Sequence, residues 1–256
     1  MFFMSYRMNY SLPYFSSPVK GLALREARFL CNLPKDRLDV VLKGCEVRMR
    51  LLVRGGSIPA GVGVTRSYVD MLGRFCASRG VELINRSRPY ENSFDGIGSF
   101  HEDIDPFRPE ILLLHFGIDD AFCPVYSSEF KENLVRIVRL ARDRFDPLII
   151  MLTSHTFDNP HDTDALNIYY RAIREVCRDL SCEMIPFHIF WAGHLEDQGL
   201  RNRDLLQQDE RYPNEKGHAV YAGAIVRRLE RIIPMVLSIP CSDPGAPGQK
   251  WYKDLQ

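Results

Sequence analysis

The sequence predicts an α/β fold built on a parallel β-sheet. Continuous apolar runs at residues 111–116 and 148–152 have the length of buried strands. Segments with apolar residues at helical spacing separate these runs. Buried strands that alternate with helices are typical of a parallel sheet covered on both faces. The chain has 256 residues, for which one α/β domain is the simplest architecture.

The strands and helices are predicted in chain order from these patterns. The first strand ends at consecutive glycines, and the predicted strands are residues 47–53, 81–84, 111–116, 148–152 and 183–185. The predicted helices are residues 68–75, 130–141, 162–180 and 215–235. We expect loops in the polar segment from residue 85 to about residue 105 and over residues 192–214.

The chain ends are expected to lie outside the α/β domain, which we assign to residues 47–238. Residues 1–46 are predicted as an N-terminal extension that is irregular at first and then partly helical. Residues 239–256 are predicted as a C-terminal tail, because their prolines and glycines cannot continue a helix.

Charge, hydropathy and cysteine spacing argue against several function classes. The 33 basic residues balance 33 acidic ones without a basic block, which argues against nucleic-acid binding. We find neither a signal peptide nor an apolar run of the ~18–20 residues that cross a bilayer. The seven cysteines are irregularly spaced without a C-x-x-C pair, which indicates a reduced, cytoplasmic protein. No cofactor is predicted.

Polar side chains follow several of the predicted strands. Ligands of parallel sheets bind at the carboxyl ends of the strands. Ser57 follows the first strand, Asp119 and Asp120 the third, and His155 the fourth. A serine between a strand and a helix can be a nucleophile whose own N–H helps to hold an oxyanion. The alternative is that Ser57 only caps a turn or helix.

Three segments resemble the conserved blocks of the SGNH (GDSL-type) hydrolase superfamily. These are residues 51–61 (LLVRGGSIPAG), 112–120 (LLLHFGIDD) and 209–218 (DERYPNEKGH). Their order and separation match over about residues 47–235, and the last block is the most specific. The resemblance implies a three-layer, flavodoxin-like α/β fold and an acyl-hydrolase cleft.

The resemblance also implies roles for individual residues. Ser57 matches the nucleophile, and Asp209 matches the residue that orients the catalytic histidine. Other positions differ from the family pattern: Gly56 stands in place of an aspartate, Tyr90 of the second-block glycine, Asp119 of an oxyanion-binding asparagine, and Tyr212 of the catalytic histidine.

These differences alter the chemistry expected of the cleft. An ionised Asp119 accepts hydrogen bonds and would repel an oxyanion. A tyrosine with a pKa near ~10 cannot take the serine proton at pH 7 as a histidine does. We therefore predict His155 as the substitute base. Its alternative is a structural loop histidine bonded to the backbone or to Asp158.

Further residues are predicted to bind substrate. Arg86 and Arg88 could clamp an anionic group with bidentate hydrogen bonds, unless they are simply solvated. Tyr90 and Asp120 complete the predicted substrate-binding set, although the resemblance also allows Asp120 a structural role. A divalent metal held by Asp119, Asp120 and His155 is a less favoured alternative.

Three functions remain open from the sequence. The first is an enzyme that acts on a small polar or acyl substrate, by ester hydrolysis or by a non-hydrolytic transfer or cyclisation in a biosynthetic pathway. The second is a catalytically inactive SGNH module that binds a protein partner. The third is a metal-assisted hydrolase.

Overall fold

The computed structural model describes residues 49–123 and 125–237, without the side chain at position 235. The predicted N-terminal extension and the C-terminal tail lie outside the described residues.

Five parallel strands form one sheet in the described part of the chain. They are β1 (Met49–Gly55), β2 (Val81–Asn85), β3 (Ile111–His115), β4 (Leu148–Leu152) and β5 (Glu183–Ile185). Their spatial order is β2-β1-β3-β4-β5, and every neighbouring pair is parallel. This order confirms the predicted flavodoxin-like fold. Its switch point, where ligands of such sheets bind, lies between β1 and β3.

Helices pack against the sheet in two groups. The described helices are α1 (Ser57–Ala60), α2 (Tyr68–Ser78), α3 (Ser93–Gly98), α4 (Phe100–Asp103), α5 (Ile118–Phe122), α6 (Ser127–Phe145), α7 (Pro160–Asp179), α8 (Phe187–Gln198), α9 (Asn202–Leu205) and α10 (Glu215–Leu237). Helix α10 contacts α2 and α8, while α6 contacts α3 and α7. Among the described residues, none of these helices has both the length and the apolar character to span a bilayer.

The core lies on both faces of the sheet. All five residues of β3 are buried, as are four of the five residues of β4. Parallel strands whose two faces are covered consist mostly of apolar residues. This requirement explains why the apolar runs at these strands predict the sheet correctly.

Two predicted loops contain helices. The polar segment after β2 holds α3 and α4, and residues 192–214 include the end of α8 and all of α9. In α3, a glycine such as Gly96 is usually a sign of a turn. Here the helix requires a glycine at position 96, because the Phe116 ring occupies the space that a Cβ at that position would fill. In α8, buried Phe187 and Trp191 accompany exposed Ile189, so apolar side chains do not mark a single face. The local sequence pattern therefore does not predict α3 or α8.

Candidate active site

Ser57 and Asp119 form a two-point contact at the switch point of the sheet. Ser57 follows β1 as the first residue of α1, and Asp119 lies in α5 directly beyond β3. The Ser57 hydroxyl donates to Asp119 Oδ1 at 2.6 Å, and the Ser57 N–H donates to Oδ2 at 2.7 Å. Burial raises the pKa of Asp119 above its ordinary value, while the bonds from Ser57 oppose that rise. The carboxylate is thus placed to receive the serine proton.

Tyr90 supplies a backbone donor to the same hydroxyl. Its N–H lies 2.9 Å from Ser57 Oγ, while its side chain is 64% exposed. Its φ of 63° lies in the left-handed region, which favours glycine. The chain therefore keeps a glycine-like backbone here, although a tyrosine occupies the position.

Gly56 makes this arrangement sterically possible. A Cβ at position 56 would overlap both Asp119 Oδ2 and the carbonyl oxygen of Glu91. Glu91 follows Tyr90 in the loop after β2. Only a glycine lets the carboxylate and this loop approach the nucleophile together.

Tyr212 lies beside Ser57 and Arg211. Its side chain is buried, and burial raises the pKa of its hydroxyl, although an interaction with the Ser57 side chain opposes the rise. The Arg211 guanidinium carbon lies 5.3 Å from the centre of the Tyr212 ring, over its face. The Tyr90 ring contacts the Tyr212 ring edge-on. A phenol in this environment stays protonated at neutral pH, so it can donate a proton but cannot act as the base.

Asp209 pairs with Arg211 instead of orienting the side chain at position 212. Its carboxylate receives hydrogen bonds from Arg211, the shortest at 2.5 Å, and these bonds lower the pKa of Asp209. Its hydrogen bond to Tyr212 runs through the backbone, where the Asp209 carbonyl accepts the Tyr212 N–H at 3.0 Å. The orienting role implied by the resemblance is therefore replaced by an ion pair at the rim of the site.

The prediction that His155 is the substitute base is wrong for this arrangement. Its Nε2 lies 2.8 Å from the Glu210 carbonyl oxygen, and its Nδ1 lies 3.1 Å from the Tyr221 hydroxyl. The ring is fully buried against Trp191 and Phe157, and burial lowers its pKa to about 4. Both nitrogens are engaged away from Ser57, which is the structural alternative stated above.

Arg86 and Arg88 are also committed to partners within the protein. Both donate to Asp103 Oδ1, at 2.8 and 2.7 Å, and Arg88 additionally donates to Glu91. Asp103 is fully buried, so its charge requires such partners. This network corrects the prediction that the two arginines clamp an anionic substrate.

Asp120 is a structural residue, which corrects its predicted substrate-binding role. It is fully buried, and its two oxygens accept the N–H groups of Ser93 and Gly117. Burial raises the pKa of Asp120 to about 6. The residue joins the start of α3 to the start of α5 and so holds both loops of the site.

The three residues of the alternative metal site do not form a cluster of ligands in the described part of the chain. Asp119, Asp120 and His155 each bond to separate partners, namely Ser57, the Ser93 and Gly117 amides, and Tyr221 with Glu210. Within the same residues, no group of three or more His, Cys, Asp or Glu side chains is arranged to hold an ion.

Two further candidate functional residues, Arg54 and Arg211, are not predicted from the sequence. Arg54 lies fully buried inside the first block, and Arg211 lies beside Tyr212 inside the last. Their positions within the matching blocks were the available signal. Arg211 also borders a shallow cleft of about 440 Å³, lined by Phe122, Phe157, Asn159, Asp162, Gln208, Asp209, Glu210 and Arg211.

Residues 53–220 match the GDSL-like Lipase/Acylhydrolase family. The chain belongs to this family. The match includes Ser57, Asp119 and Tyr212, so the contacts described above lie within the family's domain. No curated protein matches the chain.

Solved structures of several hydrolases share the fold. A lipase/acylhydrolase from Enterococcus faecalis is 20% identical with a TM-score of 0.60, and the similarity covers 72% of this chain and 96% of that one. A catalytic mutant of Axe2, an acetylxylan esterase from Geobacillus stearothermophilus, is 17% identical with a TM-score of 0.62 over 72% and 96% of the chains. LAE5, an alpha/beta hydrolase from the metagenome of Lake Arreo, Spain, is 19% identical with a TM-score of 0.62 over 71% and 96%.

Proposed function

We propose that this GDSL-family protein hydrolyses small carboxylic esters through an acyl-enzyme on Ser57, with Asp119 as the base. The observation that carries the proposal is the 2.6 Å hydrogen bond from the Ser57 hydroxyl to Asp119 Oδ1. A general base must lie within hydrogen-bond reach of the proton that it removes. The raised pKa of Asp119 supports the role, because a more basic carboxylate competes better for that proton.

Proton transfer also removes the repulsion expected between a carboxylate and an oxyanion. As Ser57 Oγ bonds to the ester carbonyl carbon, its proton moves to Asp119, which becomes neutral while the carbonyl oxygen becomes negative. The Tyr90 N–H and the Tyr212 hydroxyl then supply donors beside the reacting atoms. One residue thus acts as the base and loses its own charge when the oxyanion forms.

The rest of the cycle uses the same groups. The C–O bond to the alcohol breaks, and the alcohol leaves with the proton from Asp119. Water then attacks the acyl carbon, gives a proton to the Asp119 carboxylate, and releases the carboxylic acid as Ser57 recovers its hydrogen. Because Ser57 is fully buried, we propose a short acyl group such as acetyl, with the alcohol directed to the cleft beside Arg211.

The test compares turnover of p-nitrophenyl acetate by the native protein, Ser57→Ala and Asp119→Asn. We expect Ser57→Ala to remove turnover and Asp119→Asn to lower kcat by about 10²–10⁴-fold, since an amide cannot take the proton. The matched variant is Asp95→Asn, because Asp95 is an exposed helix-capping aspartate and its replacement should leave kcat unchanged. An Asp119→Asn protein as active as the native one would overturn the role of Asp119.

A second candidate function is a non-catalytic module that uses the fold to bind a partner. It is favoured by the Asp119 carboxylate, which accepts the Ser57 N–H that would otherwise face an oxyanion, and by the full burial of Ser57. A fluorophosphonate probe distinguishes the two functions. Labelling of Ser57 supports the hydrolase, whereas absence of both labelling and turnover supports the binding module.

A further inference from the structure

Arg54 is a fully buried arginine on β1, three residues before Ser57. Its guanidinium donates to the Gly55 carbonyl at 3.0 Å, to Ser99 Oγ at 2.8 Å and to Glu91 Oε2 at 2.5 Å. A buried charge without partners is very costly, so these acceptors hold the guanidinium in one place. Arg54 therefore joins the strand that carries the nucleophile to the loop that follows β2.

Glu91 is the point where this loop meets the active site. Its carboxylate also accepts a hydrogen bond from Arg88, and its carbonyl lies against Gly56. The preceding residue is Tyr90, whose N–H donates to Ser57 Oγ. The carboxylate of Glu91 is thus one residue away from the amide that contacts the nucleophile.

The backbone of Tyr90 needs an external constraint. A left-handed conformation costs a non-glycine residue roughly 1–2 kcal/mol, and such residues keep it where the surroundings impose it. The Tyr90 side chain is largely exposed and has one edge-on contact with the Tyr212 ring among the described residues, so we look for the constraint in its neighbours along the chain. The contacts of Glu91 with Arg54 and Arg88 are the nearest ion pairs along the chain.

We propose that the Arg54–Glu91 ion pair positions the Tyr90 N–H on Ser57 Oγ. Both are positioning residues, because neither touches the reacting atoms. The expected effect on rate rests on the proposed ester hydrolysis, but the effect on the Tyr90 amide does not. Loss of the pair should release the amide while the sheet and its core remain intact.

The test uses Glu91→Gln, which keeps the size of the side chain and removes its charge. The matched variant is Glu110→Gln, because Glu110 pairs with Arg50 at the opposite end of β1. Hydrogen exchange of the Tyr90 amide is measured by NMR, together with kcat and KM for p-nitrophenyl acetate. Circular dichroism checks that each variant is folded, and Arg54→Lys, which keeps the charge, should lie between native and Glu91→Gln.

We expect Glu91→Gln to speed exchange at Tyr90 and to lower kcat, each by about tenfold, with KM changed less than about twofold. Glu110→Gln should change none of these. Native-like exchange at Tyr90 in Glu91→Gln would overturn the positioning role. If the native protein shows no turnover, the ester hydrolase is rejected, and the exchange comparison alone decides the positioning role.

Discussion

Burial acts in the same direction on the two titratable side chains beside Ser57, Asp119 and Tyr212. Burial disfavours the charged form of each group and so raises both pKa values. For the carboxyl group this makes a stronger base, and for the phenol it makes a donor that stays protonated. The proposed base and the proposed donor thus depend on the same physical cause.

The pH dependence of turnover distinguishes a carboxylate base from a histidine base. Asp119 must be ionised to act, so kcat/KM should fall on acidification with a midpoint above the ordinary aspartate pKa of 3.8. The profile should lack an inflection near ~6.5, the pKa of a free histidine. Tyr212→His should introduce that inflection. A native profile that already shows it would assign the base to a histidine.

The contact between Ser57 and Asp119 is predictable from the sequence because strand ends are fixed by the fold. Ser57 and Asp119 follow adjacent strands, so their meeting is predictable from the topology. The hydrogen bonds of His155 are not predictable in this way, because its partners Glu210 and Tyr221 lie more than fifty residues further along the chain. The partner of Arg86 is not predictable from local pattern either, because Asp103 lies at the end of α4, in a segment that the sequence predicts as a loop.

At the scale of secondary structure, the starts of α3 and α5 are held by one carboxylate. Asp120 is the third residue of α5, and it accepts the N–H of Gly117 as well as the N–H of Ser93. The first N–H groups of a helix lack partners inside the helix, so each needs an external acceptor. One aspartate meets this need for two helices that border the active site.

Replacement of Asp120 should therefore cost stability more than substrate binding. Asp120→Asn leaves one oxygen and turns an NH₂ group towards a buried N–H, so we expect a loss of roughly 1–3 kcal/mol in the free energy of unfolding. The measurement is urea denaturation at pH 7.5, with KM for p-nitrophenyl acetate alongside. Asp95→Asn is the matched variant, since Asp95 accepts only the Asn92 N–H through one oxygen. An unchanged free energy of unfolding with a raised KM would restore Asp120 to the substrate-binding set.

At the scale of the whole molecule, three buried histidines oppose protonation. His115, His155 and His218 are almost fully buried near the Tyr221 ring, and burial lowers their pKa values to about 3, 4 and 4. His218 accepts the Tyr68 N–H at Nδ1, while its buried Nε2 has no hydrogen-bond partner among the described residues. In the unfolded chain these rings bind protons near pH 6.5, so acid favours unfolding.

Stability should accordingly fall as the pH drops from 7 to 5. For one histidine whose pKa moves from 6.5 to about 4 on folding, the loss over this range is about 2 kcal/mol. His218→Asn should reduce the dependence of the free energy of unfolding on pH, because asparagine does not titrate. Its amide oxygen can still accept the Tyr68 N–H, so the fold should be kept. Urea denaturation at several pH values measures the effect, with the exposed His161→Asn as the matched variant. A slope equal to that of the native protein would show that His218 does not contribute.

Gly56 makes the departures from the SGNH pattern depend on one another. The space of its missing side chain is taken by the Asp119 carboxylate and the Glu91 carbonyl. An aspartate restored at position 56 alone would collide with both and add a second negative charge beside Asp119. The side chain at position 119 and the Tyr90–Glu91 loop would first have to move out of this space. An exchange at position 56 should therefore be tolerated only in combination with changes at position 119 and in the Tyr90–Glu91 loop, so the effects of these substitutions should be epistatic.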